Sequence, residues 1–156
     1  MSADSVSALW RAYLTSLGED EATTTKTYTA WHFCDNETDA DELAELVRSG
    51  RKRATASSLW VYEHDSQSLP KVGDHSVILD WKGKARCIIQ TTRIDLMPYE
   101  EVTEEFAWTE GEGDRSLAYW REGHRRFFTR ELEAIGLAFS PRMPVVCERF
   151  EVVFKA

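Results

Sequence analysis

Apolar residues along this chain switch between two periods, and the switches mark out its elements. Over residues 6–17, Val6, Leu9, Trp10, Tyr13, Leu14 and Leu17 recur at helical spacing, and Gly18 follows. That pattern predicts an amphipathic helix closed by a glycine. Residues 26–33 alternate as a short strand does. A second helix is predicted to start near Thr38 or Asp39, where Asp39 and Glu42 have capping-box spacing. It buries Leu43, Leu46 and Val47 and ends at Gly50. Beyond Leu69 the character becomes β. After the turn Pro70-Lys71-Val72-Gly73-Asp74, residues 75–81 read as a strand, and Lys82-Gly83 turns the chain into a long, bending strand over 84–96.

Two more helices are predicted before the end. Residues 102–107 form a short one with glutamates at its start, favourable for the helix dipole. Residues 114–135 form a longer one, capped by Asp114, with a seam through Leu117, Trp120, His124, Phe127 or Phe128, Leu132 and Ile135, and Gly136 stops it. Residues 144–154 close the chain as a strand. Strands in the middle and at the end with helices inserted between them describe an α+β domain. A small, partly open β-barrel with helices packed across it fits this order, and so does a helix-covered antiparallel sheet.

Composition narrows the class. A chain of 156 residues with 42% hydrophobic residues, six Trp, seven Phe and five Tyr reads as one folded domain. Residues 1–25 are its helical extension. No apolar run reaches the length of a membrane span, and the polar start Met1-Ser2-Ala3-Asp4 has no signal-peptide character. The three cysteines, Cys34, Cys87 and Cys147, are scattered and form no C-x-x-C pair, so neither a disulfide framework nor a zinc site is expected. Cytoplasm is the expected compartment. A net charge of −8 argues against a duplex-DNA binder, which needs a broad basic surface. The basic residues are local instead: Arg48, Arg51, Lys52 and Arg53 form one group, and Arg121, Arg125, Arg126 and Arg130 another. If they converge, they make a small electropositive mouth suited to a nucleotide or a short single strand.

The densest chemistry lies in Ser49-Gly50-Arg51-Lys52-Arg53-Ala54-Thr55, a G-x-K-x-x-T segment directly after a helix. A lysine beside a threonine is either an anion cradle or a base beside its nucleophile. A Gly-Arg-Lys-Arg run is equally a solvated helix C-terminus. His124 reads as a hydrogen-bonded core histidine, and His32, His64 and His75 share no metal-ligand spacing. Glu110, in Glu110-Gly111-Glu112-Gly113-Asp114, reads by itself as part of a solvated acidic turn. Trp31, Phe33, Trp60 and Tyr62 bracket the lysine motif as core aromatics, any of which can stack on a base.

Taken together, the G-x-K-x-x-T segment, Pro70-Lys71-Val72-Gly73-Asp74 with its hairpin, Trp31-His32-Phe33-Cys34-Asp35, Ser116-Leu117-Ala118-Tyr119-Trp120 and Val146-Cys147-Glu148-Arg149-Phe150 resemble the ASCH-domain family, in its longer bacterial members. The resemblance implies a PUA-like small β-barrel and a superfamily tied to RNA. It implies a metal-independent amidohydrolase acting on N4-acylcytidine-type nucleosides, with Lys52, Thr55 and Glu110 catalytic, Glu112 competing with Glu110, and no cofactor. Arg51, Arg53, Trp31, Phe33 and Trp60 are the expected contacts to a small nucleoside or to single-stranded RNA. The alternatives are a single-strand ribonuclease and a non-catalytic RNA- or nucleotide-binding module. For amide hydrolysis, Lys52 would be a base with its pKa depressed by burial and by Arg51 and Arg53. Thr55 would be the nucleophile, Glu110 the acid for the leaving amine, and backbone N–H groups after Gly50 the oxyanion hole.

Overall fold

Two long strands carry the architecture. In the computed structural model, which describes residues 2–156, strand β4 (Ala85–Pro98) runs antiparallel to strand β5 (Pro144–Lys155), from Cys87 opposite Lys155 to Pro98 opposite Pro144. Met1 of the polar start lies outside the described residues. The other strands are short: β1 (Tyr28–Trp31), β2 (Ala54–Ser58) and β3 (His75–Leu79). The sheet order is β1-β3-β4-β5-β2, with β1 parallel to β3 and every other neighbouring pair antiparallel. Register shifts at Ile88/Ile89 and Thr91/Arg93 are bulges that bend the long pair.

The mixed α+β class expected from the sequence holds, and the five strands form one sheet that is not closed into a barrel. Strands β1 and β2 stand at opposite edges and do not pair with each other. With four and five residues they are too short to bring those edges together, although the bulges curve the centre.

Helices cover both faces. Helix α1 (Ser2–Ser16) sets Leu9, Trp10, Tyr13 and Leu14 against Val77, Ala85 and Ile88, so the N-terminal helix is part of the core. Helix α2 (Glu37–Arg48) packs Leu43, Ala44 and Val47 against Ile78, Cys87, Ile89 and Phe150. Val77 and Ile78 are adjacent in one strand, so their partners α1 and α2 lie on opposite sides of the sheet. A third cluster gathers Phe106 and Ala107 of helix α4 (Glu104–Glu110), Trp120, Phe128 and Leu132 of helix α5 (Leu117–Glu133), and Ala54, Met143, Val145 and Cys147. Helix α3 (Leu59–His64) follows β2 directly; neither β2 nor α3 was legible in the apolar pattern.

The caps moved relative to the sequence reading. Asn36, not Asp39, caps α2, its Oδ1 accepting from Asp39 N at 2.9 Å. Thr103 caps α4, and the helix runs on through Glu110. Ser116 caps α5, while Asp114 accepts from Ser116 N at 2.8 Å. In each case the side-chain oxygen of the residue just before the helix accepts from a free N–H three residues on, in the first turn.

Candidate functional site

Two helix ends meet edge to edge and build the site. Helix α2 stops at Gly50 (φ +87°), where Gly50 N bonds Val47 O at 3.0 Å and Lys52 N bonds Leu46 O at 2.9 Å. Helix α4 stops at Gly111 (φ +73°), and there the two ends touch. A Cβ on Gly111 would lie 2.2 Å from the carbonyl oxygen of Arg51, so only glycine fits both the dihedral and the space. Arg53 N donates to Thr109 O at 2.9 Å. Arg51 donates through Nε to Gly111 O and through Nη2 to Gly113 O, each at 2.8 Å. Arg115 Nη2 returns a bond to Arg51 O at 3.0 Å.

This clamp drives Lys52 inward. Its side chain is 1% exposed, and Nζ donates to Ala54 O at 2.8 Å, Glu110 Oε1 at 2.9 Å and Glu112 Oε2 at 2.8 Å. Three N–H bonds meet three acceptors, so the ammonium is saturated. The phenyl ring of Phe33 lies 5.3 Å below it. Glu110 is equally buried. Its second oxygen accepts from Trp120 Nε1 and lies 3.2 Å from His124 Nε2. His124 stacks on Trp120 at 4.2 Å and turns Nδ1 to Trp120 O at 2.9 Å. A carbonyl can only accept, so Nδ1 carries a proton and Nε2 faces the carboxylate.

Charge assignments follow. Burial disfavours the Lys52 ammonium, but Glu110 and Glu112 outweigh it, and its pKa rises above the ordinary lysine value. Burial opposes the Glu110 carboxylate, yet Lys52 and His124 hold its pKa well below the usual carboxylate range. Burial lowers the His124 pKa, and Glu110 more than reverses this, so the net shift is upward. The resting site therefore sets the Lys52 ammonium against the carboxylates of Glu110 and Glu112, and Glu110 draws the His124 imidazole toward its charged form. Ligand atoms of Glu110, Glu112 and His124 lie within 4.8 Å of one another, a spacing that suits a divalent ion. The ammonium of Lys52 already bonds both of those carboxylates.

The cluster floors a cavity of about 250 Å³ lined by Phe33, Thr55, Tyr119, Phe127 and the ion group among others. Thr55 comes from β2, paired across the strands with Glu148. Its hydroxyl makes no hydrogen bond among the described residues. Lys52, Thr55, Glu110, Glu112 and Phe33 thus share one cavity. Arg51, Arg53, Trp31 and Trp60 do not line it. Arg51 is spent on loop carbonyls, and Arg53 lies over Trp108 at 5.7 Å. Trp31 packs edge-on against Phe33 at 4.8 Å, and Trp60 packs on the cluster around Phe106.

Three details of the sequence reading change. Arg51 is bonded to loop carbonyls and Arg53 lies over Trp108, and neither depresses the Lys52 pKa. The backbone N–H groups of Lys52 and Arg53 are already bonded, so they offer no oxyanion hole. Glu110 sits on the last turn of α4, not in a solvated turn. His124 joins the site as a residue the sequence reading left in the core. Its signal was present: Trp120 and His124 are four apart, hence stacked on one helix face.

Comparison with known proteins adds the lineage. The sequence model of the family described as the ASCH domain matches residues 29–154. The solved ASCH domain from Lactobacillus crispatus JV V101 is 38% identical, with a TM-score of 0.90 over 97% of this chain and 95% of that one. A protein from Enterococcus faecalis V583 is also 38% identical, with a TM-score of 0.87 over 98% of this chain and 90% of that one. A hypothetical protein at 19% identity and a TM-score of 0.52 shares the fold alone. No curated protein matches the chain.

Proposed function

Given that this chain belongs to the ASCH-domain family, with its PUA-like fold, we propose that the cavity is the active site of a hydrolase cleaving the N4-acyl amide of a cytidine-type nucleoside. One observation carries the reading: a fully buried ammonium, countered by two carboxylates, lies in a small cavity whose wall presents a threonine hydroxyl.

The saturated ammonium is a poor base, which reassigns the roles. Glu112 is the movable partner, with 24% of its side chain exposed against 1% for Glu110. As substrate enters, its carbonyl oxygen replaces Glu112 on Lys52 Nζ, and the ammonium polarises the carbonyl and stabilises the oxyanion. The released Glu112 carboxylate takes the Thr55 hydroxyl proton as Thr55 Oγ1 attacks the acyl carbon. That proton passes to N4, the C–N bond breaks, and cytidine leaves. Water then attacks the acyl-threonine ester, giving its proton to Glu112, and the Thr55 oxygen is reprotonated as the carboxylic acid departs. Glu110 stays in place as the fixed counter-ion.

The test is ultraviolet-monitored hydrolysis of N4-acetylcytidine by the wild type, Thr55→Val and Glu112→Gln, with and without chelator. We expect chelator-resistant turnover that falls by about 10²-fold or more in each variant. Wild-type rates in both variants would remove the assignment.

A second reading, binding or cleavage of single-stranded RNA, is favoured by a different surface. Trp108 is 49% exposed. Arg115 lies over it at 3.9 Å and Arg53 at 5.7 Å. Among the described residues neither arginine has a carboxylate within ion-pair distance, and guanidinium–indole platforms stack bases. This reading requires oligonucleotide affinity that falls steeply with salt and weakens in Arg53→Gln/Arg115→Gln. Salt-insensitive affinity, or none at low salt, would dismiss it.

A further inference from the structure

The mouth of the cavity has two walls of opposite charge. From α2 come Asp39 and Glu42; from α5 come Arg126 and Arg130, one turn apart and so on one helix face. Among the described residues these walls form no ion pair with each other. Arg126 instead meets Glu122 at 2.9 Å and Arg130 meets Asp35 at 3.4 Å. In both pairs each side chain is more than half exposed. Such pairs are weak and easily exchanged for a better anion. Asp39 Oδ2 accepts one bond, from Asn36 Nδ2 at 2.9 Å. Tyr119 lines the same cavity, and its phenol pKa is raised by burial first, then by Glu112, Glu42 and Asp39, while Arg126 opposes. The opening therefore carries acceptors on one side and guanidinium donors on the other, with an aromatic ring near both.

A ligand that satisfies this mouth must bring an anion and neighbouring hydroxyl donors. A ribose 5′-phosphate has both. Two guanidiniums suit a phosphate, and carboxylates accept from ribose hydroxyls. A cavity of about 250 Å³ takes a base and part of its sugar, and because Asp39, Glu42, Arg126 and Arg130 line it, the ribose and phosphate lie against them.

We propose that Arg126 and Arg130 form a phosphate subsite, and Asp39 and Glu42 a ribose subsite, so that the cavity takes a pyrimidine 5′-mononucleotide in preference to the free nucleoside. The identity of the base rests on the reaction proposed above; the phosphate and ribose subsites rest on the mouth alone.

The experiment is calorimetric titration of wild type, Arg126→Gln/Arg130→Gln and Glu42→Gln with cytidine, cytidine 5′-monophosphate and a cytidine trinucleotide. Thermal melts establish that each variant is folded. Hydrolysis of N4-acetylcytidine and of its 5′-monophosphate is followed in parallel. We expect the monophosphate to bind wild type at least about tenfold more tightly than cytidine, and the double arginine variant to erase that difference. Glu42→Gln weakens the nucleoside and the nucleotide alike. Equal binding of cytidine and its monophosphate, a preference that survives the double variant, or binding of neither ligand would overturn the subsite. A trinucleotide held tenfold tighter than the monophosphate would make an RNA strand the ligand and overturn the mononucleotide assignment. Preferential binding of the monophosphate without turnover of either acetylated compound would sustain the subsite and remove the proposed reaction.

Discussion

Helix α4 carries a glutamate ion pair at each end, and the two pairs differ in everything except charge. At its first turn Glu105 takes Arg149 in a two-pronged pair, with distances of 2.6 and 2.7 Å. At its last residue Glu110 takes Lys52 through a single bond of 2.9 Å. By geometry the first is the better pair. Glu105, however, is 67% exposed, whereas Lys52 and Glu110 are each 1% exposed. Water can take over from Arg149 at the Glu105 carboxylate, although Arg149 itself is only 20% exposed, and it can replace neither partner at the second site. Hydrogen bonding to Arg149 is the chief cause that holds the Glu105 pKa down to about 2, but on an exposed group this says little about stability. Burial, not pair geometry, decides which end of the helix the fold depends on.

The contrast breaks most sharply at Lys52. Lys52→Met strands the fully buried Glu110 carboxylate and frees Glu112, and should cost about 3–5 kcal/mol. In a chain of this size that is a fall of roughly 6–20 °C in melting temperature, readable by calorimetry. Gly111→Ala comes next, at about 3 kcal/mol, because the new Cβ meets the Arg51 carbonyl while the residue is held at positive φ. Glu112→Gln separates stability from chemistry. Lys52 keeps Glu110 and Ala54 O, so stability should fall by no more than about 1–2 kcal/mol while the proposed turnover is lost. At the exposed end, Glu105→Gln should cost less than about 1 kcal/mol, and high salt should shrink even that.

Acid and base sharpen the same comparison. The Glu110 pKa is lower in the folded chain, so its stabilisation is complete above the ordinary value of 4.5 and is lost as pH falls through the folded value. The His124 pKa is higher in the folded chain, so its stabilisation is complete below 6.5 and is lost as pH rises through the folded value. The site should therefore be most stabilising between about pH 4.5 and 6.5. His124→Gln should flatten the decline on the alkaline side and leave the acid limb in place. A variant whose melting profile keeps that decline would locate the titration elsewhere.

The apolar pattern was enough to specify α1, α2, α5 and the β3–β4 hairpin, because burial on one face imposes a period that survives in the sequence. Gly50 announced the helix stop for a reason equally local, its positive φ. Short elements without a periodic face, β2 and α3, left no such trace. The lysine–threonine segment stood out in the residues themselves, and Glu110 was visible only through a family resemblance. Their burial was not, because Glu110-Gly111-Glu112-Gly113 reads as a polar loop until Arg51 and Gly111 dock one helix end on another. Local sequence carries the information for dihedrals and periodic faces. Which polar side chain is desolvated, and therefore which charge is held and which residue is left mobile, depends on contacts such as Lys52–Glu110 that span 58 positions. That was decided only when the chain packed.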